Sequence, residues 1–236
     1  MMKKAFLVIT TLLQVCVMSA QELTVTYRMV YDTASPQIFA AAGLPEDMRA
    51  SLAAAYKDVV MQYQLVVKGN ESDFRVLPGE GKQEIHFMGQ TIDVNATLSM
   101  QAQNYTYKNH AEGIILDKTQ AFGKNFIVLD SIGKAKFSVV KGENKDILGY
   151  ECVKAVSEDG KTTIWYTPQI PVQDEPIATG LDGLVLQMNT SGQIYTATKV
   201  EDTATKEIVR PSGERPISMS DFKDWVKKRT EMMKRN

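Results

Sequence analysis

The sequence is poor in the residue types from which enzymes build metal and nucleophile sites. Its 236 residues include only two cysteines, Cys16 and Cys152, and two histidines, His86 and His110. Neither histidine belongs to an H-E-x-x-H motif or to a set of cysteine and histidine ligands. No G-x-S-x-G elbow is present. These absences make a hydrolase the least favoured class, and we predict no catalytic residue and no metal ligand.

Nucleotide and nucleic-acid binding also lack support. Residues 160–162 read G-K-T, but Ala155 stands where a P-loop needs its first glycine. Lys3 and Lys4 account for two of the 27 basic residues, so 25 remain against 28 acidic residues in the rest of the chain. This net charge of −3 argues against a nucleic-acid partner, which calls for a basic excess. We therefore expect no cofactor and no nucleic-acid partner.

No apolar run reaches the roughly 20 residues that a helix needs to cross a bilayer. The uncharged run at 5–18 is shorter, follows Lys3 and Lys4, and precedes the small residues Ser19 and Ala20. This order is typical of a cleavable secretory signal. We predict a signal peptide at residues 1–20 and an exported protein, located in the periplasm, at the outer membrane or outside the cell. No transmembrane segment remains after cleavage, and Cys152 is then the single cysteine, which excludes an internal disulfide.

Apolar residues at every second position dominate the rest of the chain. Residues 23–31 alternate apolar and polar side chains, and residues 59–67 repeat the pattern, as expected of strands with one buried face. The segments between alternating runs are short and rich in Gly, Asn and Asp, which favours hairpins. We predict one β-rich domain over residues 21–236. Its fold class is mainly β, with a single curved antiparallel meander sheet of half-barrel or barrel-like form.

Two segments depart from this alternation and predict helices. Residues 45–57 begin with Pro45 and two acidic residues and carry apolar residues on one helical face. Residues 219–234 follow a capping box of Ser218 and Asp221 and form an amphipathic C-terminal helix. Residues 78–100 fit no single period, and residues 202–217 have the composition of a linker.

Three motifs in the second half of the chain carry a family resemblance. They are I-x-G-Y-x-C-x-K-A at 147–155, W-Y-T-P-x-I-P at 165–171 and G-L-x-G-L at 180–184. This arrangement resembles the GLPGLI family of exported Bacteroidetes proteins. The resemblance implies export and a coherent fold, and no activity is established for the family. Asp182 stands where the family motif has proline. The matching residues are Gly149, Tyr150, Cys152, Trp165, Tyr166, Pro168, Pro171, Gly180, Leu181, Gly183 and Leu184.

Short Asp-Ser/Thr-aliphatic triplets occur three times in the chain. They resemble O-glycosylation sites of Bacteroidetes, and their hydroxyl residues are Thr33, Ser131 and Thr203. We regard these three residues as candidate modification sites.

Two functions fit these features. The first is a non-catalytic binding or carrier module for an apolar small molecule, held where the two helices only partly cover the apolar face of the sheet. The alternative is an envelope module that binds an outer-membrane or periplasmic protein through the long acidic loop at 168–182, because long loops commonly carry function. A ligand-sized cavity would favour the first, and an exposed loop patch over a filled interior would favour the second.

Overall fold

The computed structural model describes residues 22–40, 44–79, 83–133, 136–172, 174 and 181–234. The predicted signal peptide lies outside these residues. The elements are β1 (Glu22–Tyr31), α1 (Glu46–Tyr56), β2 (Val60–Lys68), β3 (Glu71–Val76), β4 (Glu84–Phe87), β5 (Gln90–Asp93), α2 (Val94–Gln101), β6 (Tyr105–Asn109), β7 (Ile114–Ala121), β8 (Lys124–Ser131), β9 (Phe137–Ile147), β10 (Tyr150–Ser157), β11 (Thr162–Thr167), β12 (Leu184–Thr190), β13 (Gln193–Glu201), β14 (Ile217–Ser218) and α3 (Met219–Lys234).

Twelve of the strands form one large sheet with β1 in its interior. The strand order is β14-β8-β7-β6-β3-β2-β1-β13-β12-β11-β10-β9. On one side β1 pairs with β2, which follows it closely in the chain, and on the other with β13, which lies near the far end of the sequence. The mainly β class is thus confirmed, but the single meander is wrong. Two meandering halves meet at β1, because its backbone pairs with β2 of one half and with β13 of the other.

The predicted sheet differs from the observed one in two further respects. The short strand β14 pairs with β8 in parallel, so the sheet is mixed and not purely antiparallel. The sheet is also not closed, since β14 and β9 stand at opposite ends of the strand order. A β-hairpin of β4 and β5 lies outside it. The barrel-like form that we expected is therefore corrected to an open mixed sheet.

Both predicted helices are present, together with a third that the sequence did not predict. α1 and α3 match the predicted ranges within one residue at each end. α2 begins at Val94, in the segment that fitted no period, and Asp93 caps it with a side chain that accepts a hydrogen bond from the Ala96 amide at 3.0 Å. No helix in the described ranges is both long and apolar enough to span a membrane.

One face of the sheet, called the helix face here, carries the main core. In β1 the residues Leu23, Val25, Tyr27 and Met29 are at most 1% exposed. They pack with buried residues of β2, β10, β11, β12 and β13 and with Ile170 and Val172 of the loop after β11. α1, α2 and the β4–β5 hairpin form a second cluster at the end of β2 and β3. Burying each large side chain contributes roughly 1.5–3 kcal/mol, so the helix face supplies most of the packing.

The opposite face is crossed by residues 203–210, called the strap here. Lys206 Nζ donates to Asp73 Oδ1 at 2.7 Å, and Asp73 is fully buried. The Arg210 guanidinium binds both carboxylate oxygens of Glu112, at 2.7 and 2.9 Å. The hydroxyl of Thr24 donates to the Thr203 carbonyl at 2.7 Å. A segment with the composition of a linker is therefore fixed to the sheet by specific polar contacts.

We expect Leu65→Ala in β2 to lower the free energy of unfolding by about 2–5 kcal/mol, because a fully buried leucine beside β1 leaves a cavity. Leu129→Ala in β8 is the matched control, since 41% of Leu129 is exposed. It should cost less than about 1 kcal/mol. Urea unfolding of the two variants measures both values, and equal losses would contradict the assigned core.

Candidate functional site

A cleft of about 340 Å³ opens on the helix face between the end of α2 and the start of α3. We call it the α2–α3 cleft. Aromatic rings and a small number of polar side chains line it, which is the usual make-up of ligand sites. The residues that bear on its chemistry are Tyr63, Phe74, Phe222, Gln101, Asn104 and Asp117.

Strand register brings the polar centre of the cleft together. Thr106 of β6 and Asp117 of β7 are directly opposed in the ladder. The Thr106 hydroxyl donates to Asp117 Oδ1 at 2.6 Å. The carboxyl group therefore has one oxygen held by the protein, in a cleft whose walls include several aromatic rings.

The environment of Asp117 disfavours its charged form. Burial is the largest effect and raises the pKa of Asp117 above its ordinary value. Asp130 acts in the same direction, while the Thr106 hydrogen bond and the charge of Lys108 oppose it. A partly desolvated carboxyl with a raised pKa in a cleft is a recognised mark of functional sites.

Helix α3 forms one wall of the cleft and is fixed at its start. Ser218 Oγ accepts a hydrogen bond from the Asp221 amide at 3.0 Å, as the predicted capping box requires. The Phe222 ring packs edge-on against Phe126 of β8 with centroids 5.2 Å apart, and Trp225 lies 4.7 Å from the same ring. These contacts place Phe222 at the cleft.

A second group of polar residues surrounds Asp174, which is 1% exposed. Lys108 Nζ donates to Asp174 Oδ1 at 2.7 Å, and His110 Nε2 donates to Oδ2 at 3.0 Å. Lys108 is itself 2% exposed. A cavity of about 230 Å³ adjoins this group. The acidic loop after β11 thus uses one of its carboxylates inside the protein.

Asp174 is ionised despite its burial. Desolvation is the largest effect and raises the pKa of Asp174. The charge of Lys108 and hydrogen bonds from His110, Lys108 and Ser72 together outweigh it and hold the pKa well below its ordinary range. The carboxylate therefore fixes the loop to β3 and β6 by charged hydrogen bonds.

The motif residues of the sequence lie mostly in and around strands β10, β11 and β12. Cys152 and Leu184 are fully buried, and Leu181 packs against the main core. Tyr150, Trp165 and Tyr166 are half-buried, Gly149 forms the β9–β10 turn, and Pro168 and Pro171 are exposed. Gly180 lies outside the described residues. Apart from Pro171, which borders the cavity beside Asp174, none of the described motif residues lines either site.

Cys152 has the properties of a core residue. It is fully buried, and burial raises the pKa of its thiol to about 11. A thiol with such a pKa is almost wholly protonated at neutral pH, which makes it a poor nucleophile.

The three candidate modification residues Thr33, Ser131 and Thr203 are all exposed. Their exposure is required for glycosylation, and the modification itself stays a prediction.

Little in the sequence indicated the two polar groups. Asp117, Thr106 and Lys108 each sit in a strand without a motif, and only the alternation of β6 and β7 could have placed Thr106, Lys108 and Asp117 on one face. Asp174 belongs to an acidic loop, a composition that favours exposure. Its burial depends on Lys108, a residue 66 positions away.

A family model described as "N-glycanase peptide, N-terminal domain" matches residues 91–222, more than half of the chain. The match includes α2, β6, β7 and Phe222. It therefore contains the polar residues of the α2–α3 cleft as well as Lys108, His110 and Asp174. No curated protein matches the chain.

Solved structures of PNGF-II share the fold. Two crystal forms, P21 and C2, match with a TM-score of 0.51 and identities of 16% and 17%. Each match covers 88% of this chain and 33% of PNGF-II, so the chain spans about a third of that protein's length. An uncharacterized conserved protein from Thermus thermophilus matches with a TM-score of 0.41 and 8% identity, over 85% of this chain and 91% of its own.

Gly183 and Gly149 provide a matched test of the glycines in the predicted motifs. A Cβ at residue 183 would lie 2.7 Å from the Thr167 carbonyl carbon and closer still to its oxygen, whereas residue 149 has open space around it. We expect Gly183→Ala to cost about 3 kcal/mol through this clash. Gly149→Ala should cost about 1 kcal/mol, for its positive φ alone. Urea unfolding compares them, and equal losses would refute a special role for close packing at Gly183.

Asp174→Asn should destabilise the protein at neutral pH by about 3–5 kcal/mol, because it leaves the buried Lys108 without a counter-charge. Since the folded pKa of Asp174 is depressed, its contribution is present above the unfolded pKa of about 3.9 and is lost as pH falls below that value. The gap between wild type and variant should therefore narrow below about pH 4.

Chemical unfolding at neutral pH and across the acidic range measures this gap. The exposed Asp58→Asn is the control and should follow wild type throughout. A gap of constant size over the whole range would contradict the ionised Asp174.

Proposed function

The chain belongs to the family of the N-glycanase peptide N-terminal domain, and from that premise we propose that it is an exported module that binds a saccharide in the α2–α3 cleft. The observation that carries the proposal is the combination of aromatic rings with a partly buried carboxyl and two amides in one cleft. The family assignment supports a carbohydrate ligand, because its name refers to a glycanase.

The chemistry of a sugar matches this lining. A pyranose ring has apolar C–H faces, which pack well on rings such as Tyr63, Phe74 and Phe222. Its hydroxyls are donors for the Asp117 carboxylate and acceptors for the amides of Gln101 and Asn104. A hydroxyl that donates to Asp117 would compensate for the desolvation that raises the pKa of this group.

A wholly apolar ligand, which we expected from the sequence, fits the cleft less well. It would remove water from Asp117, Gln101 and Asn104 without replacing their hydrogen bonds. The volume of about 340 Å³ lies at the lower end of the range for small-molecule sites. One or two sugar units therefore suit it better than a long acyl chain.

Binding is favoured over cleavage of a glycosidic bond. Glycoside hydrolases generally use two carboxyl groups across the bond. Of the described residues that line the cleft, Asp117 alone carries a carboxyl.

The alternative of a protein partner at loop 168–182 finds less support. In its described part, Ile170, Val172 and Asp174 are buried against the sheet, and Pro168, Gln169, Pro171 and Asp182 are exposed. Export by the signal at residues 1–20, the single domain over 21–236 and the GLPGLI resemblance remain part of the proposal. The family assignment agrees with export but concerns residues 91–222 alone.

We expect oligosaccharides released from N-glycoproteins to bind wild-type protein. Asp117→Asn should weaken their binding roughly ten- to a hundredfold, because a hydrogen bond to a charged group is worth about 1.5–3 kcal/mol. The same substitution should raise stability at neutral pH, because it removes a desolvated charge that the fold disfavours. Phe222→Ala should also weaken binding, through loss of the stacking surface.

Isothermal titration calorimetry measures affinity, and urea unfolding measures stability. Asp58→Asn, at an exposed residue that does not line the cleft, is the control and should change neither. If decanoate binds tightly and oligosaccharides do not bind, the proposal of a saccharide ligand is wrong and the ligand is apolar. Unchanged saccharide affinity in both Asp117→Asn and Phe222→Ala would show that the saccharide does not bind in the α2–α3 cleft.

A further inference from the structure

His110 is held firmly at the end of β6. Its backbone amide donates to the Asn70 carbonyl at 2.8 Å, which fixes it beside the turn between β2 and β3. Its side chain is 30% exposed, so the ring is both anchored and accessible.

Asp174 decides which ring nitrogen carries the proton. The ionised carboxylate can only accept, so Nε2 of His110 is the protonated nitrogen in the 3.0 Å contact with Oδ2. In the neutral ring Nδ1 then holds a free lone pair. Among the described residues, no hydrogen bond to Nδ1 is seen. The carboxylate in turn is fixed by Lys108, which occupies its other oxygen.

The cavity of about 230 Å³ adjoins the imidazole. Val67, Pro171 and Val172 supply apolar walls, and Gly69 and Asn70 supply the polar turn. The volume is smaller than that of typical drug-sized sites, which begin near about 300 Å³. It therefore suits a short acyl group.

We propose that His110 is a nucleophile that hydrolyses esters of short carboxylic acids in this cavity, independently of the saccharide site. Nδ1 attacks the carbonyl carbon, and the bond from that carbon to the alcohol oxygen breaks. The departing oxygen takes a proton from solvent. Water then attacks the acylated ring, one of its protons returns to solvent, and the carboxylic acid leaves the neutral ring behind.

Asp174 is the positioning residue of this step. Acylation places a positive charge on the ring, and the carboxylate 3.0 Å from Nε2 stabilises it. In the neutral ring the same contact places the proton on Nε2 and leaves Nδ1, the reactive nitrogen, aimed away from the carboxylate.

The second histidine is a natural control. His86 is exposed, and its Nδ1 is hydrogen-bonded to the Thr91 hydroxyl at 2.9 Å. It lacks the Asp174 contact and the cavity, so it should behave as an ordinary surface imidazole.

The test is release of p-nitrophenolate from p-nitrophenyl acetate by the full chain. We expect wild type to exceed an equal concentration of free imidazole by at least about tenfold, a threshold set below the roughly 10²–10⁴-fold that a positioned group typically contributes. His86→Gln should keep the wild-type rate, and His110→Gln should lose the excess. Peptide mass spectrometry of acid-quenched wild type should find an acetyl group on the peptide that contains His110.

A wild-type rate equal to that of imidazole, or an undiminished rate in His110→Gln, would overturn the proposal. The ¹⁵N shifts of the His110 ring test the role of Asp174 without a variant, because they should show the neutral tautomer protonated at Nε2. The opposite tautomer would also overturn it.

If Asp174→Asn folds, its rate of ester hydrolysis should fall and its His110 ring should show a mixture of tautomers. A purely structural role of Asp174 would leave both the rate and the tautomer unchanged. Binding of oligosaccharides should be unaffected in His110→Gln, which separates this site from the α2–α3 cleft.

Discussion

The pairing of β1 with strands from both halves of the chain is the constraint on which the structure depends. Its residues Leu23, Val25, Tyr27 and Met29 are almost fully buried, and it forms ladders with β2 and β13 at once. Because side chains alternate between faces, a slip of one residue in either ladder would turn this apolar row away from the core. Both candidate sites on the helix face, the α2–α3 cleft and the Asp174 group, are built on strands whose register follows from that pairing.

The alternation in the sequence predicted β1 and β2 with good accuracy. Pro45 and the acidic residues after it predicted α1, and a capping box predicted α3. The meander was wrong because hairpin signals identify neighbours in sequence, whereas the β1–β13 ladder joins distant ones. α2 was not predicted because only Val94 and Leu98 are buried in it, too few for a clear helical stripe. The strap resembles a linker in sequence because its contacts are scattered. They include the ion pair of Lys206 with Asp73 and the packing of Ile208 on the buried cluster of Tyr107, Leu116 and Ile127, and they leave no periodic pattern.

The two polar sites show a similar limit. Asp117 and Thr106 form a pair only through the β6–β7 register, and their partners in the cleft come from β2, β3, α2 and α3. Asp174 lies in a loop with the composition of a solvated acidic segment, and its burial is compensated by Lys108 and His110. Composition predicts which charges a protein has. It does not predict which of them become buried, since this is decided by distant partners.

The strap and α3 lie on opposite faces of the sheet, because Asp73 and Phe74 are adjacent in β3 and point to opposite sides. The chain therefore passes around the β8 edge between Arg210 and Met219, with β14 at the bend. A load applied at the C-terminal helix would meet three sets of contacts in series. It would first separate the rings of Phe222 and Trp225 from Phe126, would then peel the short strand β14 from β8, and would last shear the ion pairs of Arg210 and Lys206. The C-terminal segment is therefore anchored to the interior strand β3 through Lys206 and Asp73, and not at the edge of the sheet alone.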